Sequence, residues 1–396
     1  MAPKYAVVGS GLIGSAAARH LAEAGNDVTL IGVPEERSAE LNTFASHHDE
    51  GRVTRIVDPD PVWSIAARRS IERYGDIEAR SGINFHDRAG LVYSSARVEL
   101  AAEIGAANGA QVVLRDAAWI AERYGIALAA DTQAPVAVEA GAAGAINPRR
   151  MVAAQRALAA AGGAALVDDR VTAVDEHAGG VTVVTTSSAR FEFDSVVLAT
   201  GPYGAAAAGV DLLLERRLRT VALARPVQPE SLVLPSLIAD DVGREDIDGV
   251  YWTPPSVFAD GNIWLKIGGD ALDVQIASGG DDIGAWFAAG GHQAEADMLA
   301  EVLQASLPAV EFAEWAHKPC VVTYTAHGRP YVGQVSERLV VAVGGCGGAA
   351  KSADEWGRLA SVAATGGAED PEIGWDTTKP IFVGDGAYAS VRDERY

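Results

Sequence analysis

Apolar and polar positions change period several times along this chain. Tyr5-Ala-Val-Val8 is a continuous apolar run that stops at Gly9-Ser-Gly-Leu-Ile-Gly14. Residues 15–24 then repeat at helical spacing, with Leu12, Ala16 and Leu21 on or near one face. Gly25-Asn26 ends that stretch, and 27–31 returns to β-rich composition. The pattern predicts strand, glycine turn, helix, strand. A second helix is predicted from Asp60-Pro61 to about Ile77, with Trp63, Ala66, Ala67, Ile71 and Tyr74 forming a core stripe. A third begins at Asn147-Pro148, where Asn147 suits the cap and Pro148 the first turn.

Further strands are predicted at 164–167, 171–175, 181–185 and 191–198, and near the C-terminus at 339–343 with a helix from Ser352. Segments 90–93, 217–226, 251–254 and 262–268 read as strands of a separate antiparallel sheet, with Pro and Gly at their ends. Nucleotide-type elements thus stand at the beginning, middle and end. The predicted fold is α/β: a discontinuous Rossmann-type domain at 1–88, 145–215 and 318–396, with a substrate domain inserted at 89–144 and 216–317.

With 396 residues, 48% of them apolar, the chain can bury a full core without metal or disulfide staples. Its formal net charge of −21 argues against nucleic acid and anionic membrane as partners. Two cysteines without a CxxC give neither a disulfide framework nor a zinc site, so no metal is expected. No apolar run is long enough to span a membrane, and the N-terminal run lacks the form of a signal peptide. A cytoplasmic protein, monomeric or a small homo-oligomer, is expected.

The first glycines carry specific chemistry. Gly9 permits the tight turn, Gly11 lets a pyrophosphate approach the backbone, and Gly14 lets helix pack on strand; Leu12 and Ile13 start the helix whose N–H groups face the phosphates. The acid expected at the end of the second strand is missing, because Gly32 stands there. Glu35 or Glu36 could reach back to the ribose, or backbone groups could serve. Val171 and the Thr200-Gly201 turn are expected to add cofactor contacts from the later segment.

Four further blocks stand out. Ser46-His-His-Asp-Glu-Gly-Arg-Val-Thr-Arg55 gathers two histidines and two arginines in an acidic protein. Arginine suits a carboxylate through paired hydrogen bonds; the alternative is a solvated loop with Asp49 and Glu50 pairing the arginines. Lys266 lies inside the apolar run Trp264-Leu-Lys-Ile-Gly268, costly to bury unless it has a partner or a task. Cys320 lies in Lys318-Pro-Cys-Val-Val-Thr-Tyr-Thr325, as a reactive or a buried structural thiol. Lys351 closes Gly347-Gly-Ala-Ala-Lys351. Lysine is scarce, only five in all, so two at these positions carry weight.

Together the five blocks resemble the FAD-dependent D-amino-acid-oxidase-like superfamily, and within it the monomeric sarcosine oxidases and other N-methyl amino acid oxidases. The resemblance extends over nearly the whole chain. It implies FAD as cofactor, with Gly347 and Gly348 among its contacts. It implies that His48 and Arg52 lie beside the isoalloxazine, that Arg55 and Lys351 hold a substrate carboxylate, and that Tyr251 is a site tyrosine. Lys266 would promote reaction with oxygen. Cys320 would carry the flavin covalently through its sulfur. The implied activity is oxidation of a secondary amine or amino acid to an imine, with O₂ reduced to hydrogen peroxide. An amino-acid dehydrogenase, or an imino-acid or fructosyl-amino-acid oxidase of the same fold, is the alternative.

Overall fold

The computed structural model describes residues 3–129 and 134–385. A six-stranded sheet forms its first layer, in the order Tyr331–Gln334, Leu339–Val343, Ser195–Leu198, Lys4–Val8, Asp27–Ile31, Ala165–Val167. All neighbours run parallel except Tyr331–Gln334 with Leu339–Val343. Both faces are covered, so the strands are apolar throughout rather than alternating. Tyr5, Val7, Val197, Val340 and Ala342 face the helices, packing with Leu21, Trp356 and Leu359. Ala6, Val8, Val196, Leu198 and Val341 face a three-stranded meander through Val174, Val181, Val183 and Phe193.

The helices begin where their caps require. Asp60 Oδ1 accepts from Val62 N at 2.8 Å and starts Pro61–Ser81, which ends on left-handed Gly82. Asn147 Oδ1 accepts from Arg150 N at 3.0 Å and starts Pro148–Ala161. The segment 191–198, predicted as one strand, is two: Arg190–Phe193 belongs to the meander and Ser195–Leu198 to the main sheet. Asp194 makes the change, its backbone N–H donating to Lys4 O at 2.8 Å and its carboxylate accepting from Lys4 N at 2.7 Å.

The second layer is a nine-stranded, largely antiparallel sheet. Its long strands Leu214–Pro226 and Phe312–Thr325 pair from Leu214↔Thr325 to Pro226↔Phe312. Position 318, drawn from the sequence as a domain boundary, therefore lies within a continuous strand. Ile263–Ala271 and Ile247–Val257 continue the sheet, which reaches Leu91–Ser94 through a parallel pairing with Ser236–Ala239. Two helices that the strand pattern did not predict, Gly280–Ala289 and Gln293–Ser306, belong to this region. Leu299, Val302 and Leu303 of the second pack with Trp252, Leu265 and Ile267 of the sheet. Among the described residues no helix is long and apolar enough to cross a membrane.

Candidate active site

The two layers enclose a cavity of about 1710 Å³. Small-ligand pockets commonly hold roughly 300–1,000 Å³, so this one has room for an extended cofactor and a substrate together. At one end lie Gly9, Gly11, Leu12 and Ile13. Gly9 has φ +105°, and a Cβ there would strike the carbonyl of Ala199. Gly14 does not line the cavity; a Cβ on it would overlap Gly9 O, so it sets how closely helix and strand approach. This backbone cradle, with helix N–H groups open to the cavity, suits a pyrophosphate.

Gly32 also lines this end, and a Cβ on it would run into Ser10. An acid there has no room, which accounts for the missing ribose carboxylate. Neither Glu35 nor Glu36 lines the cavity, and Glu35 pairs with Arg149. Asp169, Arg170 and Val171 form the wall instead, and Thr200, Gly201, Gly347 and Gly348 line its middle.

The far end brings together Arg52, Arg55, Tyr93, Tyr251, Cys320 and Lys351. Arg52 lies between the carboxylate of Asp49, which it bonds, and Cys320, whose Sγ is 3.7 Å from Nη2. Asp49 also accepts from Lys266 Nζ at 2.9 Å, and that ammonium donates to Gly51 O at 2.5 Å. Burial opposes charge on Asp49, but Arg52 and Lys266 prevail and hold its carboxyl at about 2. Burial, then Arg52, push Lys266 down to about 8, with Asp49 opposing. Lys266 is fully buried and stands behind the cavity wall, its Nζ 5.3 Å from the ring of Tyr251. Tyr251 lies across Gly268, where any Cβ would collide with the phenol.

Arg55 and Lys351 converge on one acceptor, Asp58. Its Oδ2 takes Lys351 Nζ at 2.5 Å and Arg55 Nη2 at 3.1 Å, while Oδ1 accepts from Asp60 N at 3.1 Å. Burial, then Arg55, push Lys351 to about 8, with Asp58 opposing. Of the two histidines in this segment, His47 lines the cavity and His48 does not; burial lowers the pKa of His48, and the two rings meet edge to face at 4.7 Å.

Asp49 and Glu50 do pair with arginines, Asp49 with Arg52 and Glu50 with Arg149. Both acids are buried, so the solvated-loop alternative for this segment does not hold. The sequence reading missed Asp58 as a site residue. The available signal was an acid three positions after Arg55, mirroring Asp49 three before Arg52. It also missed Glu139, buried and accepting from the backbone N–H groups of Ile56 and Val57 at 2.9 and 3.0 Å.

Fold and cavity together define a protein built to hold a dinucleotide cofactor beside a substrate compartment. Residues 4–361 match the model of the FAD dependent oxidoreductase family, DAO, and the chain belongs to that family. Comparison with curated sequences gives no match. Among solved structures, the chain is similar to the open form of NikD, described as an unusual amino acid oxidase essential for nikkomycin biosynthesis. That likeness has 20% identity and TM-score 0.77, over 96% of this chain and 98% of NikD. Glycine oxidase from Geobacillus kaustophilus is similar at 18% identity and TM-score 0.68, over 92% of this chain and 96% of that one. Amadoriase I from Aspergillus fumigatus, a fructosyl amine:oxygen oxidoreductase, aligns at 16% identity and TM-score 0.70, over 95% and 89%. At these identities the likeness concerns the fold.

Proposed function

We propose that this FAD-dependent oxidoreductase oxidises the C–N bond of an amine or amino acid and passes the electrons to O₂. The observation that carries the reading is the continuity of one cavity, from the glycine cradle to the compartment where Arg52, Tyr251, Cys320 and Lys351 meet. Bound in this cavity, FAD would supply the redox chemistry, carrying two electrons from the C–N bond to O₂ with an imine left for hydrolysis and hydrogen peroxide as the reduced product.

The chain's own residues supply position and field. Gly9, Gly11 and the helix start would hold the pyrophosphate end. Arg52 and Cys320, with Arg52 Nη2 3.7 Å from Cys320 Sγ, form the wall that would face the reactive ring, and Cys320 is our candidate for covalent attachment. Tyr93 and Tyr251 shape the substrate compartment. Lys266 places a buried positive charge behind Tyr251, where it would favour negative charge developing on O₂.

The direct experiment is acid denaturation of the yellow holoenzyme with an intact mass. Colour retained in the pellet and a mass increased by one FAD support attachment, and Cys320→Ser then releases the flavin. Flavin in the supernatant removes the covalent assignment. Amine-dependent bleaching without air, followed by peroxide on readmitting it, tests the activity.

One observation favours a second reading. Lys266 is tied to Asp49 and Gly51 O and does not itself line the cavity. A cation so neutralised suits a dehydrogenase that gives electrons to another acceptor. Slow reoxidation in air, with fast reoxidation by a quinone, selects it.

A further inference from the structure

The two cations expected to clamp a substrate carboxylate already hold one. Asp58 Oδ2 is shared by the ammonium of Lys351 and the guanidinium of Arg55, so one carboxylate oxygen already stands between the two cations. Asp58 is almost wholly buried, its other oxygen accepts from Asp60 N, and its partner Arg55 is itself anchored by Nε donating to Val57 O at 2.9 Å. Turning it aside for an incoming anion would leave a buried carboxylate without its partners, a strongly unfavourable change. Keeping it in place sets two carboxylates against one another in a confined compartment.

Acidic side chains also stand on the wall opposite these cations. Asp240 lines the same wall as Tyr93 and Tyr251 and lies within the field of Arg55; Asp248 lines it as well. Glu139 is buried behind Arg55 and Lys351 and acts electrostatically on both. The buried cations Arg55 and Lys351 are therefore already balanced by Asp58, and the opposite wall sets Asp240 and Asp248 against the exposed Arg97 at its edge.

We infer that Asp58 fills the place of a substrate carboxylate, so that the amine oxidised here bears no carboxylate on the reacting carbon and directs a neutral or cationic substituent toward Asp240. The inference rests on the amine-oxidation reading above, and it makes Asp58 the residue that sets substrate class.

The test uses the oxidised holoenzyme and two readouts. The first is binding of benzoate, followed by the change in the flavin's visible spectrum and by calorimetry, with no turnover. Wild type should bind benzoate weakly, and Asp58→Asn and Asp58→Ser should tighten it about tenfold or more. The second is anaerobic flavin reduction by N-methylbenzylamine and N-methylphenylglycine, which differ by the carboxylate alone. The amine should reduce wild type at least about tenfold more efficiently, and Asp58→Asn should narrow the gap. Tight benzoate binding by wild type that the variants leave unchanged, or preference for N-methylphenylglycine, overturns the inference. If the variants lose flavin, the wild-type comparison of the two amines decides. If neither amine bleaches the flavin, the amine-oxidation reading fails, while benzoate binding still decides whether Asp58 blocks a carboxylate.

Discussion

At the scale of single residues, Lys266 shows what one side chain's surroundings decide. A lone lysine in an apolar strand was visible in the sequence, and its burial follows from that strand's place in the sheet. Its partner was not visible, because Asp49 is 217 positions away and reaches it only through the fold. The pair has a consequence for pH. Nζ is held at about 8, so its positive charge is present below that pH and lost above it. If that charge aids oxygen, the reoxidation rate is level on the acid side of about 8 and falls on the alkaline side. Removing Asp49's charge removes an influence that raises the lysine's pKa. Asp49→Asn should therefore move the falling limb to lower pH. Lys266→Met should abolish the limb and slow reoxidation about 10²–10³-fold, leaving anaerobic reduction nearly unchanged. Stopped-flow measurement of the two half-reactions across pH checks this; equal loss in both removes Lys266 from the oxygen step.

At the scale of elements, termini were more legible than interiors. Caps are local chemistry, and Asp60 and Asn147 do what short polar side chains do at a helix start. The split of 191–198 was not legible, because both halves are β-rich and the change of sheet depends on Lys4, far back in the chain. The helix Gln293–Ser306 did carry a signal, since Ala296, Leu299, Val302 and Leu303 recur at helical spacing, but strands alone were read in that region. Two substitutions test these elements. Asp60→Ala removes the cap and the 2.8 Å bond from Arg329 Nε, and should cost about 1–2 kcal/mol in chemical denaturation. Gly357 lies where Leu12–Glu23 meets Ala353–Ala364, and a Cβ there would stand 2.6 Å from Ala17 N and from Ala16 Cβ. Gly357→Ala must spread the helices, costing about 1–3 kcal/mol and weakening flavin retention, since the same helix begins at the phosphate cradle. Unchanged midpoints would show that the helices shift freely.

Across the whole molecule, stability and function share one layer built from distant segments, and charge holds that layer together. Asp354 is fully buried among helices from three parts of the chain. It accepts from Arg19 Nη2 at 2.6 Å and Gln155 Nε2 at 2.9 Å, and it also bonds Arg73. Neighbouring Glu355 binds Arg69 at 2.8 Å and Arg358 at 2.6 Å. No local pattern could reveal this cluster, because Arg19 and Asp354 are 335 positions apart. Burial alone would raise these carboxyls, but His20, then Arg73 and Arg19, hold Asp354 below its ordinary value, and Arg358, Arg73 and Arg69 hold Glu355 below its own, as Lys351 and Arg55 do for Asp58. A carboxyl whose folded pKa is depressed contributes stability above its unfolded value, about 4, and that contribution is lost as pH falls through the folded value. Lys266 and Lys351 act in another window. Their folded values near 8 lie below those of free lysine, so stability from them rises between about 8 and about 10.4. The acid limb therefore belongs to the carboxylates. Melting of the holoenzyme should be level near neutrality and fall steeply below about pH 4. Asp354→Ala, which takes a buried carboxylate from Arg19 and Arg73 and leaves Arg19 only Glu23 as counter-ion, should cost about 2–4 kcal/mol at pH 7 and flatten the acid limb. An acid limb of unchanged steepness in that variant would place the acid sensitivity at Asp49 and Asp58 instead, tying it to the cavity rather than to the helices beneath it.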